Sequence, residues 1–189
     1  MTQPITIVSG LPRSGTSMMM KMLQAGGMPI LTDQVRQADE DNPKGYYELE
    51  RVKQIQDDQA WLQAAQGQAV KVISALLPKL PSSYTYKVIF MHRVMQEILD
   101  SQRQMLVRRG EPTDKVSDEK LAAAFEKHLK SVHQWLVQQP NIDVLYVNYN
   151  SILKAPLQHA REIDAFLGLG LDTVQMAQAV DQSLYRQRH

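Results

Sequence analysis

The sequence predicts an α/β fold: a three-layer, doubly wound, mostly parallel sheet with helices on both faces. Three observations predict it. Four short apolar runs rich in β-branched residues recur without strict alternation, which suits strands covered on both sides. Segments with apolar residues at helical spacing lie between and after them. Near the N-terminal end a strand, a small-residue loop and a helix follow one another, an order that aims backbone N–H groups at one anion.

Ile5-Thr6-Ile7-Val8 is the first strand, and Met18-Met19-Met20-Lys21-Met22-Leu23 opens the first helix. A second helix is expected from about Glu48 to Gln66, with Leu49, Val52, Ile55 and Leu62 inward. Ala69–Ile73 and Tyr86–Met91 follow as strands. Leu121, Phe125, Leu129, Val132 and Leu136 form one apolar stripe, with Ser117 as cap, Asp118 and Glu119 in the first turn, and Pro140 closing the segment. Asp143–Tyr149 is the fourth strand. A helix from Pro156 to Leu167 ends at Gly168, and Asp172 caps a last one carrying Val174, Ala177, Val180 and Leu184. Ligands of such sheets collect beyond the carboxyl ends of the strands.

With 189 residues, 43% hydrophobic and 22% charged, the chain reads as a single domain over residues 1–189. A net charge of +1 gives no general pull toward nucleic acid. The absence of cysteine excludes a thiol nucleophile, thiolate metal sites and disulfides. Met1-Thr2-Gln3-Pro4 has no basic, apolar leader character and no apolar run reaches the ~20 residues of a membrane span, so a cytoplasmic location is expected. His128 and His133, five apart on one helix, point to different sides, and no metal is expected.

Val8-Ser9-Gly10-Leu11-Pro12-Arg13-Ser14-Gly15-Thr16-Ser17 fits the P-loop pattern G-x-x-x-x-G-K-[ST] except that Thr16 replaces the lysine. That lysine reaches β- and γ-phosphates, so its absence argues against ATP or GTP. Arg13 still offers a fork for phosphate or sulfate oxygens. A plain tight strand-to-helix turn is the alternative.

The string Pro12-Arg13-Ser14-Gly15-Thr16-Ser17 resembles the 5′-phosphosulfate loop of the sulfotransferases that use 3′-phosphoadenosine 5′-phosphosulfate (PAPS), which have a P-loop NTPase-like fold. The resemblance implies that Arg13, Ser14, Gly15, Thr16 and Ser17 hold the phosphosulfate. That family also has an arginine leaving a strand and a serine eight positions later, which hold the 3′-phosphate; Arg93 and Ser101 match. The alternative for Arg93 is an ion pair with Glu97 or Asp100. The family follows that arginine with a polar residue and proline, where this chain has Val94-Met95. Leu145–Pro156 resembles a family strand ending in a tyrosine and an acidic pair, which puts Tyr149 near the nucleotide, although Asn150 and Ser151 replace the acids. The family's late Arg-Lys-Gly segment is not found, and Arg186 and Arg188 offer only charge.

Lys71 matches a strand-end lysine that touches the sulfuryl group in the cytosolic branch; a snorkelling surface lysine is the alternative. That branch places a catalytic histidine two residues on, where Ile73 stands. For the base, Asn42-Pro43-Lys44-Gly45-Tyr46-Tyr47-Glu48 resembles a run in small bacterial sulfotransferase-like proteins. This implies Glu48 as general base and Tyr46 and Tyr47 as acceptor lining; stabilisation of a helix's first turn is the other account of Glu48.

The implied activity is sulfuryl transfer from PAPS to a hydroxyl or amine of a small molecule or glycan. Glu48, Lys71 and Arg13 act at the reacting centre, and no metal takes part. A P-loop kinase with an atypical loop and a non-catalytic nucleotide sensor are the alternatives.

Overall fold

Ile5–Gly10 forms the central strand β1, and all its residues are buried because the sheet is covered on both sides. The computed structural model describes residues 3–33, 47–113 and 115–181. β1 pairs in parallel with β2 (Ala69–Lys71) on one side and β3 (Tyr86–His92) on the other, and β4 (Ile142–Asn148) adds parallel to β3. The strand order β2-β1-β3-β4 puts the reversal of winding between β1 and β3.

Alternation divides the sheet's side chains between two cores. Ile5, Ile7, Val70, Val72, Val88 and Phe90 pack under α2 (Trp61–Ala65) and α4 (Asp118–Val137). Val8, Ala69, Ile89, Met91 and Val147 pack under α1 (Thr16–Ala25), α5 (Tyr149–Lys154), α6 (Pro156–Leu167) and α7 (Thr173–Gln178). α3 (Met95–Arg108) leaves the carboxyl end of β3. The three-layer doubly wound architecture expected from the sequence is the one observed, with all four strands parallel.

The predicted caps form. Ser117 accepts from the Lys120 N–H, Asp172 from those of Val174 and Gln175, and Gly168 ends α6. Lys87 Nζ donates to the carbonyls of Phe166 at 2.6 Å and Leu167 at 3.2 Å, pinning the end of α6 to β3.

Three expectations need correction. The helix predicted over Glu48–Gln66 is a 3-10 turn, Glu50–Gln54, and the short α2. Between them Asp58 accepts from the Ala60 N–H at 3.0 Å and pairs with the Arg51 guanidinium, so its side chain competes with the helical pattern. The inward residues are nonetheless the expected ones: Leu49, Val52, Ile55 and Leu62 are buried. The last helix, α7, ends at Gln178, so Val180 lies beyond it; within it Met176 is buried and Val174 exposed. Tyr149 begins α5 instead of ending β4. Tyr46, Leu184, Arg186 and Arg188 lie outside the described residues.

Beneath α4, the rings of Phe90, His92, His133 and Tyr146 pack with every pair of centroids 5.1–5.8 Å apart. Burial pushes the His133 imidazole below its ordinary range; burial, then the nearness of His133, does the same to His92. Both are therefore held neutral in the fold, and as pH falls the unfolded chain takes up protons first. Stability is expected to drop as pH falls through and below the ordinary histidine value of ~6.5. His133→Leu should flatten that slope in thermal melts. A wild-type midpoint unchanged over this fall in pH contradicts the assignment.

Candidate active site

The carboxyl ends of β1, β2 and β3 carry the residues that the motifs singled out. By alternation Lys71 and Arg93 stand on the α1 side of the sheet, opposite Phe90 and His92. The glycine loop therefore lies between two cations brought from two different strands.

The loop is tightly constrained. Ser14 Oγ donates to the Leu11 carbonyl at 2.7 Å, closing the turn. A Cβ on Gly10 would lie 2.5 Å from Ser14 Oγ and 2.7 Å from the Met91 carbonyl oxygen, so only glycine lets the loop lie against β3. Gly15 caps α1 with φ of 99°, and a Cβ there would come within 2.4 Å of Tyr149 Cδ2. The Tyr149 ring thus lies directly against the loop. Gly15→Ala should cost about 1–3 kcal/mol of stability, from the left-handed backbone and the displaced ring. Denaturant melts check this, and wild-type stability would contradict this packing.

Arg13, with φ of 69°, holds a conformation unusual for a side-chain-bearing residue. Two long-range contacts fix it there. Its Nε donates to Ser101 Oγ at 2.8 Å, and its carbonyl accepts from Arg93 Nη1 at 3.0 Å. The two motifs, some ninety residues apart in sequence, are therefore joined directly.

Arg93 is held from further sides. Its Nε donates to Glu97 at 2.8 Å, and its guanidinium lies 4.5 Å from the centroid of the Tyr149 ring. The Glu97 pair, which the sequence offered as the alternative for Arg93, forms, beside the contact of Arg93 with the glycine loop.

On the other flank, Lys71 Nζ donates to Ser17 Oγ at 3.3 Å and lies 3.6 Å from Glu48 Oε1. The lysine is largely buried, with 10% side-chain exposure, which argues against a snorkelling surface residue. Glu48 precedes the 3-10 turn by two residues and so does not serve a helix's first turn. Instead its backbone carbonyl accepts from Thr32 Oγ1 at 2.8 Å, docking the segment beside the end of α1 and β2. Tyr47 Oη donates to Gln24 Oε1 at 2.9 Å and packs on the α1 core. Ile73 is 44% exposed just beyond β2.

Some partners escaped the sequence reading. Asn150 Nδ2 donates to Glu97 Oε1 at 2.8 Å, and nothing in the local pattern announces it. Glu97 itself carried a signal, its four-residue step from Arg93. His128 and His133 do diverge: His128 lies 2.8 Å from Ser74 Oγ at the β2 edge, while His133 joins the ring cluster. Among the described residues no group of three or more His, Asp or Glu could hold a metal ion, and no helix is long and apolar enough to cross a membrane.

The arrangement gathers Arg13 and Arg93 on one side of the glycine loop and Lys71 beside Ser17 on the other, so the loop is flanked by cations able to meet an anion. The family model described as "Sulfotransferase domain" matches residues 3–187. Among solved structures, the sulfotransferase domain from the curacin biosynthetic pathway superimposes with a TM-score of 0.57 at 13% identity, covering 96% of this chain and 79% of that one. The sulfotransferase domain of the Synechococcus PCC 7002 olefin synthase gives 0.56 at 13% identity, covering 100% and 85%. Mouse sulfotransferase SULT7A1, solved in complex with PAP, gives 0.52 at 16% identity, covering 98% and 67%. At these identities the structural likenesses speak for the fold. No curated protein matches the sequence.

Proposed function

The chain belongs to the sulfotransferase domain family, and from that premise we propose that it moves a sulfuryl group from PAPS to a hydroxyl or amine of a small-molecule or glycan acceptor. The observation that carries the PAPS assignment is the direct joining of Arg13 to Ser101 and of Arg93 to the Arg13 carbonyl. A nucleotide with phosphate at both the 5′ and 3′ positions needs two anion grips close together, and the contacts that hold the loop against the β3 end support this reading.

In this reading the backbone of Ser14, Gly15, Thr16 and Ser17, at the start of α1, and the Arg13 guanidinium hold the 5′-phosphosulfate. Arg93 and Ser101 hold the 3′-phosphate, with Tyr149 covering the nucleotide beside Gly15. PAPS supplies the activated sulfuryl group. The acceptor oxygen or nitrogen attacks sulfur in line with the departing bridging oxygen. Lys71, at the Ser17 end of the loop, offsets the negative charge that builds on that oxygen. Glu48 accepts the acceptor's proton, and Tyr47 borders its approach. Positioning and fixed charges supply most of the rate.

Calorimetry with 3′-phosphoadenosine 5′-phosphate (PAP), ADP and ATP tests the grip. Tight PAP binding with weaker ADP binding is expected. A preference for ATP with magnesium would overturn the reading in favour of phosphoryl transfer. Transfer of labelled sulfate across a panel of phenols, alcohols and amines tests the chemistry, and PAP binding with no transfer to any would point to a nucleotide sensor.

A further inference from the structure

Glu97 sits in the first turn of α3 with 1% side-chain exposure, and its two oxygens serve different partners. Oε2 accepts from Arg93 Nε at 2.8 Å, and Oε1 accepts from Asn150 Nδ2 at 2.8 Å. Asn150 follows Tyr149, whose ring covers the Arg93 guanidinium. The plane of that guanidinium is thus set by a carboxylate along one edge, a ring on its face and the Arg13 carbonyl at one tip.

A carboxylate taken out of water is costly unless paired and hydrogen-bonded with good geometry. Here both conditions are met by residues from three separate elements, α3, α5 and the end of β3. A surface ion pair would have left Arg93 able to swing. This one leaves its 8%-exposed side chain one orientation, toward the glycine loop.

We infer that Glu97, braced by Asn150, is a positioning residue that fixes Arg93 for recognition of the nucleotide's 3′-phosphate. The inference rests on the reading that Arg93 meets that phosphate. The chemistry of the brace is directional. An ionised carboxylate accepts at both oxygens, whereas an amide accepts at one end and donates at the other. Glu97→Gln leaves Arg93 a weaker, uncharged acceptor, and Asn150 can meet the new amide only by turning its own amide over. Asn150→Asp sets two carboxylates together. Combining them restores the match: the amide at position 97 accepts from Arg93 Nε and donates to the carboxylate at position 150. One negative charge remains near Arg93, as in the natural chain.

Calorimetry with PAP and with ADP, on the full chain and the three variants, reads this out. Each single variant should lose about tenfold or more in PAP affinity, with ADP changed by less than about twofold, as expected for a charge-assisted contact. The double variant should recover most of the natural preference for PAP, a rescue that independent sites do not give. Recovery supports the role, since damage to folding alone would not separate the two nucleotides. A Glu97→Gln protein with the natural preference overturns it, and so does a double variant no better than the worse single one. Should Glu97→Gln alone melt too low for titration, the double variant decides by the same preference. If the natural chain binds PAP and ADP alike, the Arg93 assignment itself falls, and this inference with it.

Discussion

Replacing Arg93 by alanine should lower PAP affinity by about 30- to 1,000-fold, the equivalent of ~2–4 kcal/mol for a lost charged, forked contact. ADP, which lacks the 3′-phosphate, should lose much less. The structure adds a second consequence that the sequence alone did not carry. Arg93 is the cation beside a buried carboxylate, so its removal strands Glu97 and should cost about 3–5 kcal/mol of folding stability. Binding is therefore best measured well below the melting midpoint, and in Arg93→Ala/Glu97→Gln as well, where no charge is stranded. PAP affinity unchanged in both proteins would show that the 3′-phosphate sits elsewhere.

Glu48→Gln should reduce turnover by about 10²- to 10⁴-fold, the usual worth of a positioned general base. PAP affinity should hold, because Glu48 meets Lys71 and is not part of the glycine loop. The loop segment should also keep its place, since the bond from Thr32 goes to the Glu48 backbone. The discriminating measurement is turnover at saturating PAP together with PAP affinity by calorimetry. Loss of turnover with affinity kept is the expected pattern. Unchanged turnover would remove Glu48 as the base, and loss of both would make it a structural support for Lys71.

The local grammar of the chain was read correctly where it is local. β1, the glycine loop, the Ser117 and Asp172 caps and the Gly168 stop each follow from a few neighbouring residues, and each is where the sequence puts it. Failures came where a side chain competed with the pattern. Asp58 breaks the helix after Ile55 because its carboxylate binds Arg51 and the Ala60 N–H, a contest that apolar spacing does not register. The last helix stops at Gln178, short of Val180, and Met176 takes its core position while Val174 is exposed.

By itself the sequence determined the sheet-and-helix order, the glycine loop without its lysine, and the family to which those residues belong. Only the tertiary structure decided that Arg13 touches Ser101, that Lys71 lies between Ser17 and Glu48, and that Glu97 joins Arg93 to Asn150. The reason is physical: caps and turns are governed by backbone geometry within a few residues. A side chain's partner fifty to ninety positions away is set by strand order, alternation and packing acting together.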